Sequence, residues 1–331
     1  MINLLKKIRL RKIYKDSKFK NDIFNYKPFF YEKRSFLESK SIKICIINFW
    51  DGAFEKDFLD YFFRRICIGG LVYVNSVNEA DVVISSHFGS VKSPRHKTIF
   101  FSGESYIPNF EKYIFSISQH NNDWNGHNVY LPLWYSRLAW NGFNYENTRQ
   151  SSNGNTHGYE ELINKNYLLK RRKFNEPKKF CVIFASSKNN LRTSLYNLIS
   201  TYKNIDGYGK VFDRPFFSSK EEIYHQYKFC LCPENSFLDG YVTEKLIDAW
   251  SYGCIPIYYG KIPENSNINT KSFINFSDFD SSNDFMKKIK DIDSNYENYC
   301  EIYNQNFLNE EPDIDYQINL VSNFIENILR F

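Results

Sequence analysis

The polar residues that follow one buried segment carry the strongest chemical signal in this sequence. An apolar run predicts a strand over residues 228–232. The segment after it contains Glu234, Asn235, Tyr241, Glu244 and Lys245. The spacing of apolar positions predicts a helix over residues 242–252, with Glu244 and Lys245 in its first turn. A lysine at a helix N-terminus opposes the helix dipole, and a bound diphosphate would offset that cost. The segment is therefore a candidate anion site.

A second candidate site joins a predicted strand to a predicted helix. Ser186 and Ser187 follow the strand, and Arg192 lies in the first turn of the helix. Free backbone N–H groups at a helix start, hydroxyl groups and an arginine can together bind phosphate oxygens. The alternative is that these polar residues only cap the helix, which is their commoner use.

A carboxylate follows a strand of the N-terminal half. Glu104 comes three residues after Phe101, beside the flexible Gly103, with Pro108 a little further on. In open parallel sheets ligands bind at the carboxyl ends of strands, so Glu104 could accept a proton from a bound hydroxyl. The alternative is a residue that caps or solvates a turn.

The elements that must position these residues alternate between strand and helix. Strands are predicted at residues 41–48, 82–85, 98–101, 113–118, 179–185, 228–232, 254–259 and 272–276. Helices are predicted at residues 53–65, 190–202, 219–227, 242–252 and 284–292. Residues 148–158 lack large apolar side chains and are predicted to be a loop. The pattern indicates an α/β protein with two doubly wound parallel sheets, divided near Gly158.

Composition excludes several classes of protein. The chain has 331 residues, of which 42% are hydrophobic and 24% are charged, so fibrous and wholly disordered proteins are excluded. Aromatic residues reach 18%, and they either fill cores or line sugar-binding surfaces. The 7 cysteines are odd in number and scattered, which predicts reduced, buried thiols. No apolar run has the length of a membrane span or of a signal-peptide core, so a cytoplasmic location is expected.

The positive charge is concentrated at the N-terminus. Residues 1–20 contain Asp16 as their one acidic residue, among lysines and arginines interleaved with leucine and isoleucine. Such a segment could form an amphipathic helix on an anionic membrane surface, or it could be a solvated arm. Because the rest of the chain is not basic, no nucleic-acid partner is expected.

Three ordered motifs resemble the signature of the α-1,3/4-fucosyltransferases, most closely the soluble bacterial type. They read YKFCLCPENS at residues 227–236, GYVTEKL at 240–246 and GCIPIYYG at 253–260. The resemblance extends upstream to residues 186–192, FSGE at 101–104 and NFWDG at 48–52.

This resemblance implies a GT-B-like fold and an inverting transfer of L-fucose from GDP-fucose. The acceptor would be the 3-OH or 4-OH of an N-acetylglucosamine or glucose unit of an N-acetyllactosamine-type glycan, as in Lewis-type antigens and lipopolysaccharide O-antigens. The implied units are a basic arm (1–40), an acceptor domain (41–165), a donor domain (166–310) and a C-terminal helix (311–331). No cofactor is obligatory in this reading, although Mn²⁺ or Mg²⁺ could stimulate.

The same resemblance assigns roles residue by residue. Glu104 matches the general base, Arg192 and Lys245 match the cations that hold the diphosphate, and Glu244 matches a carboxylate near the donor sugar. Ser186, Asn235 and Tyr241 match donor-site residues, and Glu234 is given a structural role. Trp50 and Asp51 fall in the variable acceptor region and are assigned to acceptor binding.

The sequence leaves other interpretations open besides a fucosyltransferase. Three Asp-x-Asp pairs, at residues 278–280, 291–293 and 313–315, could hold a metal ion, but solvated charge fits their acidic surroundings better. The remaining alternatives are a transferase of the same fold that uses another nucleotide sugar, and a carbohydrate-binding protein without catalytic activity.

Overall fold

The protein is described from a computed structural model that covers residues 35–49, 58–90, 93–138, 179–215 and 219–330. Trp50, Asp51, the arm over residues 1–20 and the loop predicted at 148–158 lie outside these residues.

The N-terminal half builds a six-stranded parallel sheet in the order β2-β1-β3-β4-β5-β6. Its strands are β1 (Ile42–Ile47), β2 (Leu71–Tyr73), β3 (Val82–Ser85), β4 (Thr98–Phe101), β5 (Phe115–Ser118) and β6 (Asn128–Tyr130). Within the described residues of this half, they are accompanied by helices α1 (Ser35–Ser39) and α2 (Phe58–Ile66). Every residue of β3, β4 and β5 is buried, as is usual for parallel strands covered on both faces.

The C-terminal half builds a five-stranded parallel sheet in the order β11-β10-β9-β7-β8. Its strands are β7 (Lys179–Phe184), β8 (Ile205–Tyr208), β9 (Tyr227–Pro233), β10 (Ile255–Tyr259) and β11 (Ile274–Asn275). Its helices are α3 (Asn190–Ser200), α4 (Lys220–Tyr224), α5 (Glu244–Ser251), α6 (Ser282–Ser294) and α7 (Tyr296–Tyr303). The two parallel sheets confirm the predicted fold class.

The last helix returns to the first sheet. Helix α8 (Ile314–Arg330) packs against α1, α2, β3 and β6. Its Phe324 ring stacks on Phe115 of β5 with 4.5 Å between ring centroids. Within the described residues, the links from β3 to β6 contain the 3-10 turn Arg95–Lys97 and no α-helix. Helix α8 therefore supplies part of the cover that the connections of this sheet do not provide.

One apolar core joins the two halves. It runs from strand residues such as Ile99 and Phe115 of the first sheet to Leu246 and Trp250 of α5, beside the second sheet. Residues Leu133–Arg137 form a 3-10 helix that packs directly on α5. The facing ends of the two sheets are therefore held by packed structure.

Most predicted elements are found within a few residues of their expected bounds. Strands β3 and β4 have the bounds that the sequence predicts, and helix α5 begins two residues late, at Glu244, because Thr243 is its N-cap. Strands β2, β6 and β8 were not predicted. All 7 cysteines are free thiols, as expected; Cys300 is partly exposed and the other six are buried.

Candidate active site

Two loops of the second sheet meet at the carboxyl ends of β7 and β9. Asn189 caps α3, because its side chain accepts hydrogen bonds from the backbone N–H groups of Leu191 and Arg192. The amide nitrogen of the same side chain donates to the backbone oxygen of Asn235, at 3.0 Å. The cap of one helix thus fixes the position of the neighbouring loop, and the Asn189 side chain was not anticipated in this role.

Arg192 joins the same two loops through its guanidinium group. It donates to the Ser187 carbonyl and to the Asn235 side-chain oxygen, each at 2.7 Å. The residue is only 7% exposed, and this burial lowers the pKa of the guanidinium group below its ordinary value. Arg192 is therefore also a structural link between the two loops.

Glu234 is the hub of the loop that leads to α5. Its buried carboxylate accepts hydrogen bonds from the backbone and hydroxyl of Thr243 and from the Tyr258 hydroxyl. It also pairs with the Lys245 ammonium group at 3.0 Å. Burial lowers the pKa of Lys245, but the Glu234 and Glu244 carboxylates together outweigh burial and raise it above its ordinary value, so the lysine stays charged.

The Glu234–Lys245 ion pair accounts for a lysine at the N-terminus of α5. A lysine in the first turn of α5 does not require an external anion, because Glu234 already provides a negative charge within the chain. The unfavourable placement of Lys245 is therefore no independent sign of a diphosphate. The structural role predicted for Glu234 fits these contacts.

Glu244 lies next to a buried ion pair. Arg137 donates to Asp248 with 2.9 Å between Nε and Oδ1, and both side chains are almost fully buried. Burial raises the pKa of Glu244, but Lys245 and Arg137 outweigh burial and bring it below its ordinary value. Glu244 is thus held ionised. Arg137 is not among the residues singled out from the sequence.

A contact between the two halves brings Glu104 to these loops. The Tyr241 hydroxyl donates to Glu104 Oε2 at 2.9 Å, although the two residues are 137 positions apart. The Ser105 and Ser236 hydroxyls lie 2.8 Å apart in the same contact. Tyr241 is buried, and burial raises its pKa well above the ordinary value. The phenol therefore stays protonated and is the donor of this hydrogen bond. Glu104 itself is exposed.

Those predicted site residues that the structure describes fall into one region. Glu104, Tyr241, Asn235, Arg192 and Lys245 are linked by the contacts above, and Ser186 is exposed directly after β7. The candidate acceptor residues Trp50 and Asp51 follow β1 but lie outside the described residues.

Two of the Asp-x-Asp pairs are engaged with cations of the chain. Asp293 accepts hydrogen bonds from Lys203 and Lys228, and Asp315 pairs with Arg65. Over the described ranges, no group of three His, Cys, Asp or Glu side chains is placed to hold a metal ion. In the same ranges, none of the helices combines the length and the apolar character needed to cross a membrane.

The second half of the chain matches a known protein family. Residues 174–309 match the profile described as "Glycosyltransferase family 10 (fucosyltransferase) C-term". We refer to residues 174–309, which resemble that C-terminal domain, as the family 10 domain. This domain holds Arg192, Asn235, Tyr241, Glu244 and Lys245, and the matched range covers β7 to α7.

Curated relatives extend the similarity beyond the family 10 domain. The alpha-(1,3)-fucosyltransferase FucT of Helicobacter pylori is 28% identical over 306 residues, which are 84% of this chain and 63% of that protein. The 4-galactosyl-N-acetylglucosaminide 3-alpha-L-fucosyltransferase 9 of Mus musculus is 34% identical over 117 residues, 34% of this chain and 32% of its own length. This chain therefore spans less than two thirds of these relatives.

Solved structures match the whole arrangement of the family 10 domain and the first sheet. A crystal structure of an alpha1,3-fucosyltransferase with GDP-fucose superposes with a TM-score of 0.67 at 23% identity, covering 87% of this chain and 91% of that one. Another crystal structure of an alpha1,3-fucosyltransferase gives a TM-score of 0.68 at 22% identity, covering 92% of this chain and 94% of that one. The protein has this two-sheet, GT-B-like fold.

Proposed function

We propose that this protein is an inverting fucosyltransferase that moves L-fucose from GDP-fucose to a hydroxyl of a glycan. The acceptor hydroxyl is the 3-OH or 4-OH of an N-acetylglucosamine or glucose unit, as in Lewis-type antigens and lipopolysaccharide O-antigens. Residues 41–165 bind the acceptor and residues 166–310 bind the donor, with a C-terminal helix over residues 311–331.

One contact supports this proposal more than any other. The exposed Glu104 carboxylate of the first sheet lies against Tyr241 of the family 10 domain, where Asn235, Arg192 and Lys245 also converge. The carboxylate and the cations thus come from the two sides of one junction between the sheets. Such a junction of strand ends is where two-sheet α/β proteins bind their ligands.

The charges suit the departure of a nucleoside diphosphate. Breaking the bond between sugar and phosphate leaves negative charge on the β-phosphate and positive charge on the sugar ring. Arg192 and Lys245 stabilise the phosphate, and the ionised Glu244 stabilises the ring. Asn235 is held by Arg192 and fixes the loop beneath the diphosphate, with Ser186 at its edge.

Inversion requires one base on the face opposite the leaving group. Glu104 accepts the proton of the acceptor hydroxyl as that oxygen attacks the anomeric carbon. The Tyr241 hydroxyl bonds to one carboxylate oxygen and leaves the other for the acceptor. Trp50 and Asp51, which follow β1 in the sequence, contribute to the acceptor side.

A donor screen tests the proposal. Purified protein is incubated with GDP-fucose, GDP-mannose or UDP-sugars and with N-acetyllactosamine, lactose or their β-1,3-linked isomers, and products are read by mass spectrometry. We expect a mass increase of one deoxyhexose with GDP-fucose alone. Transfer from another donor would favour a different transferase of this fold, and GDP binding with no transfer or hydrolysis would favour a binding protein.

We propose that a divalent cation stimulates this reaction without being required. Arg192 and the Lys245 ammonium group, which Glu234 partly neutralises, already place positive charge beside the diphosphate. Activity in excess EDTA should therefore stay measurable, and added Mn²⁺ or Mg²⁺ should raise it. Complete loss with EDTA, reversed by the metal, would contradict this and revive the Asp-x-Asp pairs at 278–280, 291–293 and 313–315 as ligands.

We also propose that residues 1–20 bring a cytoplasmic enzyme to the inner face of a membrane. Their basic and apolar residues would bind anionic headgroups. Deleting them should abolish co-sedimentation with anionic vesicles and leave transfer to a soluble acceptor nearly unchanged. Equal sedimentation of the full-length and shortened proteins would show that the segment is only a solvated arm.

A further inference from the structure

A cluster of exposed rings lies beside Glu104. Three large apolar side chains are unusually exposed there: Phe88 at 57%, Tyr106 at 52% and Ile107 at 41%. Single exposed apolar residues are ordinary on a protein surface, but a contiguous group of them marks a place where something binds.

The two exposed rings, Phe88 and Tyr106, both contact the His87 ring at a tilt. The His87 ring centroid lies 4.0 Å from that of Phe88 and 4.2 Å from that of Tyr106, with interplanar angles of 34° and 31°. We refer to His87, Phe88 and Tyr106 as the aromatic platform. Burial lowers the pKa of His87, although Glu104 opposes this, so the imidazole is neutral near pH 7 and does not place a positive charge in the platform.

The fold fixes the platform at the carboxyl ends of two adjacent strands. His87 and Phe88 leave β3, Tyr106 follows β4, and these strands pair with Ser85 opposite Phe100. The Phe88 backbone N–H donates to the Asn48 carbonyl at the end of β1, at 3.2 Å, and the Tyr106 N–H donates to the Glu104 carbonyl at 2.8 Å. The platform and the Glu104 carboxylate thus belong to one rigid edge.

We propose that this aromatic platform binds a pyranose ring of the acceptor glycan, which packs its C–H face on the rings and directs a hydroxyl toward Glu104. The inference rests on the proposed transfer reaction and deepens it. A general base must be within hydrogen-bond reach of the hydroxyl that it deprotonates, so the acceptor sugar has to lie next to Glu104. A pyranose has an apolar face for the rings and polar edges for the carboxylate. An anionic lipid surface does not fit, because Glu104 is the neighbouring charge.

Kinetics with two truncated rings test the platform. Phe88→Ala and Tyr106→Ala should each raise KM for N-acetyllactosamine roughly 3- to 10-fold, the range for losing one aromatic contact. The value of kcat at saturating acceptor, the Kd for GDP-fucose and the slow hydrolysis of GDP-fucose by water should stay within about twofold. Phe88→Tyr and Tyr106→Phe keep the rings and should behave as wild type.

Tyr316→Ala is the matched control, because Tyr316 is equally exposed, at 57%, but lies on α8. An unchanged KM in both platform variants, or a loss of GDP-fucose binding in them, would overturn the platform. A wild-type protein that hydrolyses GDP-fucose but binds neither N-acetyllactosamine nor lactose by saturation-transfer NMR would also overturn it. Failure of the proposed function itself looks different, since the wild type would then neither bind nor hydrolyse GDP-fucose.

Discussion

At the scale of single residues, the Glu104 carboxylate is the group whose removal separates chemistry from binding. Glu104→Gln keeps an oxygen that accepts the Tyr241 hydrogen bond but cannot take a proton. Transfer should fall by about 10²-fold or more, the usual contribution of a positioned general base. Initial rates of transfer at saturating GDP-fucose measure this loss.

The control for this variant is the affinity for GDP-fucose, which belongs to the family 10 domain and should stay near that of the wild type. If Glu104→Gln keeps most of its activity, another residue is the base, and Asp51 is then the next candidate. If donor binding is lost instead, Glu104 acts mainly as the partner of Tyr241.

The sequence predicted these residues one at a time but not their contacts. Arg192, Asn235 and Lys245 were identified from strand ends, helix starts and motifs, which are local patterns. The bonds from Tyr241 to Glu104 and from Arg192 to Asn235 join residues that are far apart along the chain. The contacts of Glu234 could not be predicted for the same reason, since its partners include Tyr258 on the neighbouring strand.

At the scale of elements, the 3-10 helix Leu133–Arg137 is fixed to α5 by one buried ion pair. Removing one partner of such a pair leaves an uncompensated charge and costs about 3–5 kcal/mol. Arg137→Met should therefore lower the free energy of unfolding by about that amount, and Arg137→Met combined with Asp248→Leu should recover much of it. Chemical denaturation of the wild type, the two single variants and the double variant measures both effects.

The dependence of the unfolding free energy on pH provides a second measurement for this prediction. Burial raises the pKa of Asp248 above its ordinary value even though Arg137 opposes it. Without Arg137 the pKa rises further, so the folded protein binds a proton more readily than the unfolded chain does. The loss of unfolding free energy caused by Arg137→Met should then become smaller as the pH falls toward the ordinary pKa of an aspartate. A deficit that stays constant with pH, or a double variant as unstable as the single one, would show that packing and not charge is lost.

Elements were predictable where their apolar residues form a clear local pattern. Strands β3, β4 and β7 are runs of apolar residues, and helix α5 combines a threonine cap with buried Leu246, Ala249 and Trp250. Strands β2 and β6 have only 3 residues each, and β8 contains Gly207, so their local signal is weak. They are strands because a neighbouring strand supplies their hydrogen bonds.

At the scale of the whole molecule, the chain begins and ends its described part on the same sheet. Helix α8 was predicted as a C-terminal helix, but its packing on the first sheet follows from tertiary contacts that no local pattern contains. Arg330 at its end bonds to Ser35 at the start of α1. The core is also continuous from the first sheet to α5. The two halves should therefore unfold together.

Phe324→Ala tests whether the two halves unfold together, because Phe324 packs on the first sheet and lies outside the family 10 domain. Phe324 is 4% exposed and stacks on Phe115, so its truncation should cost about 3–5 kcal/mol. Tyr316→Ala on the same helix removes an exposed ring and should change stability by less than about 0.5 kcal/mol. In Phe324→Ala the loss of GDP binding on heating should coincide with the fluorescence transition, and both should shift down together, because the family 10 domain shares its core with the first sheet. GDP binding that survives the first transition would instead show two sheets that unfold independently.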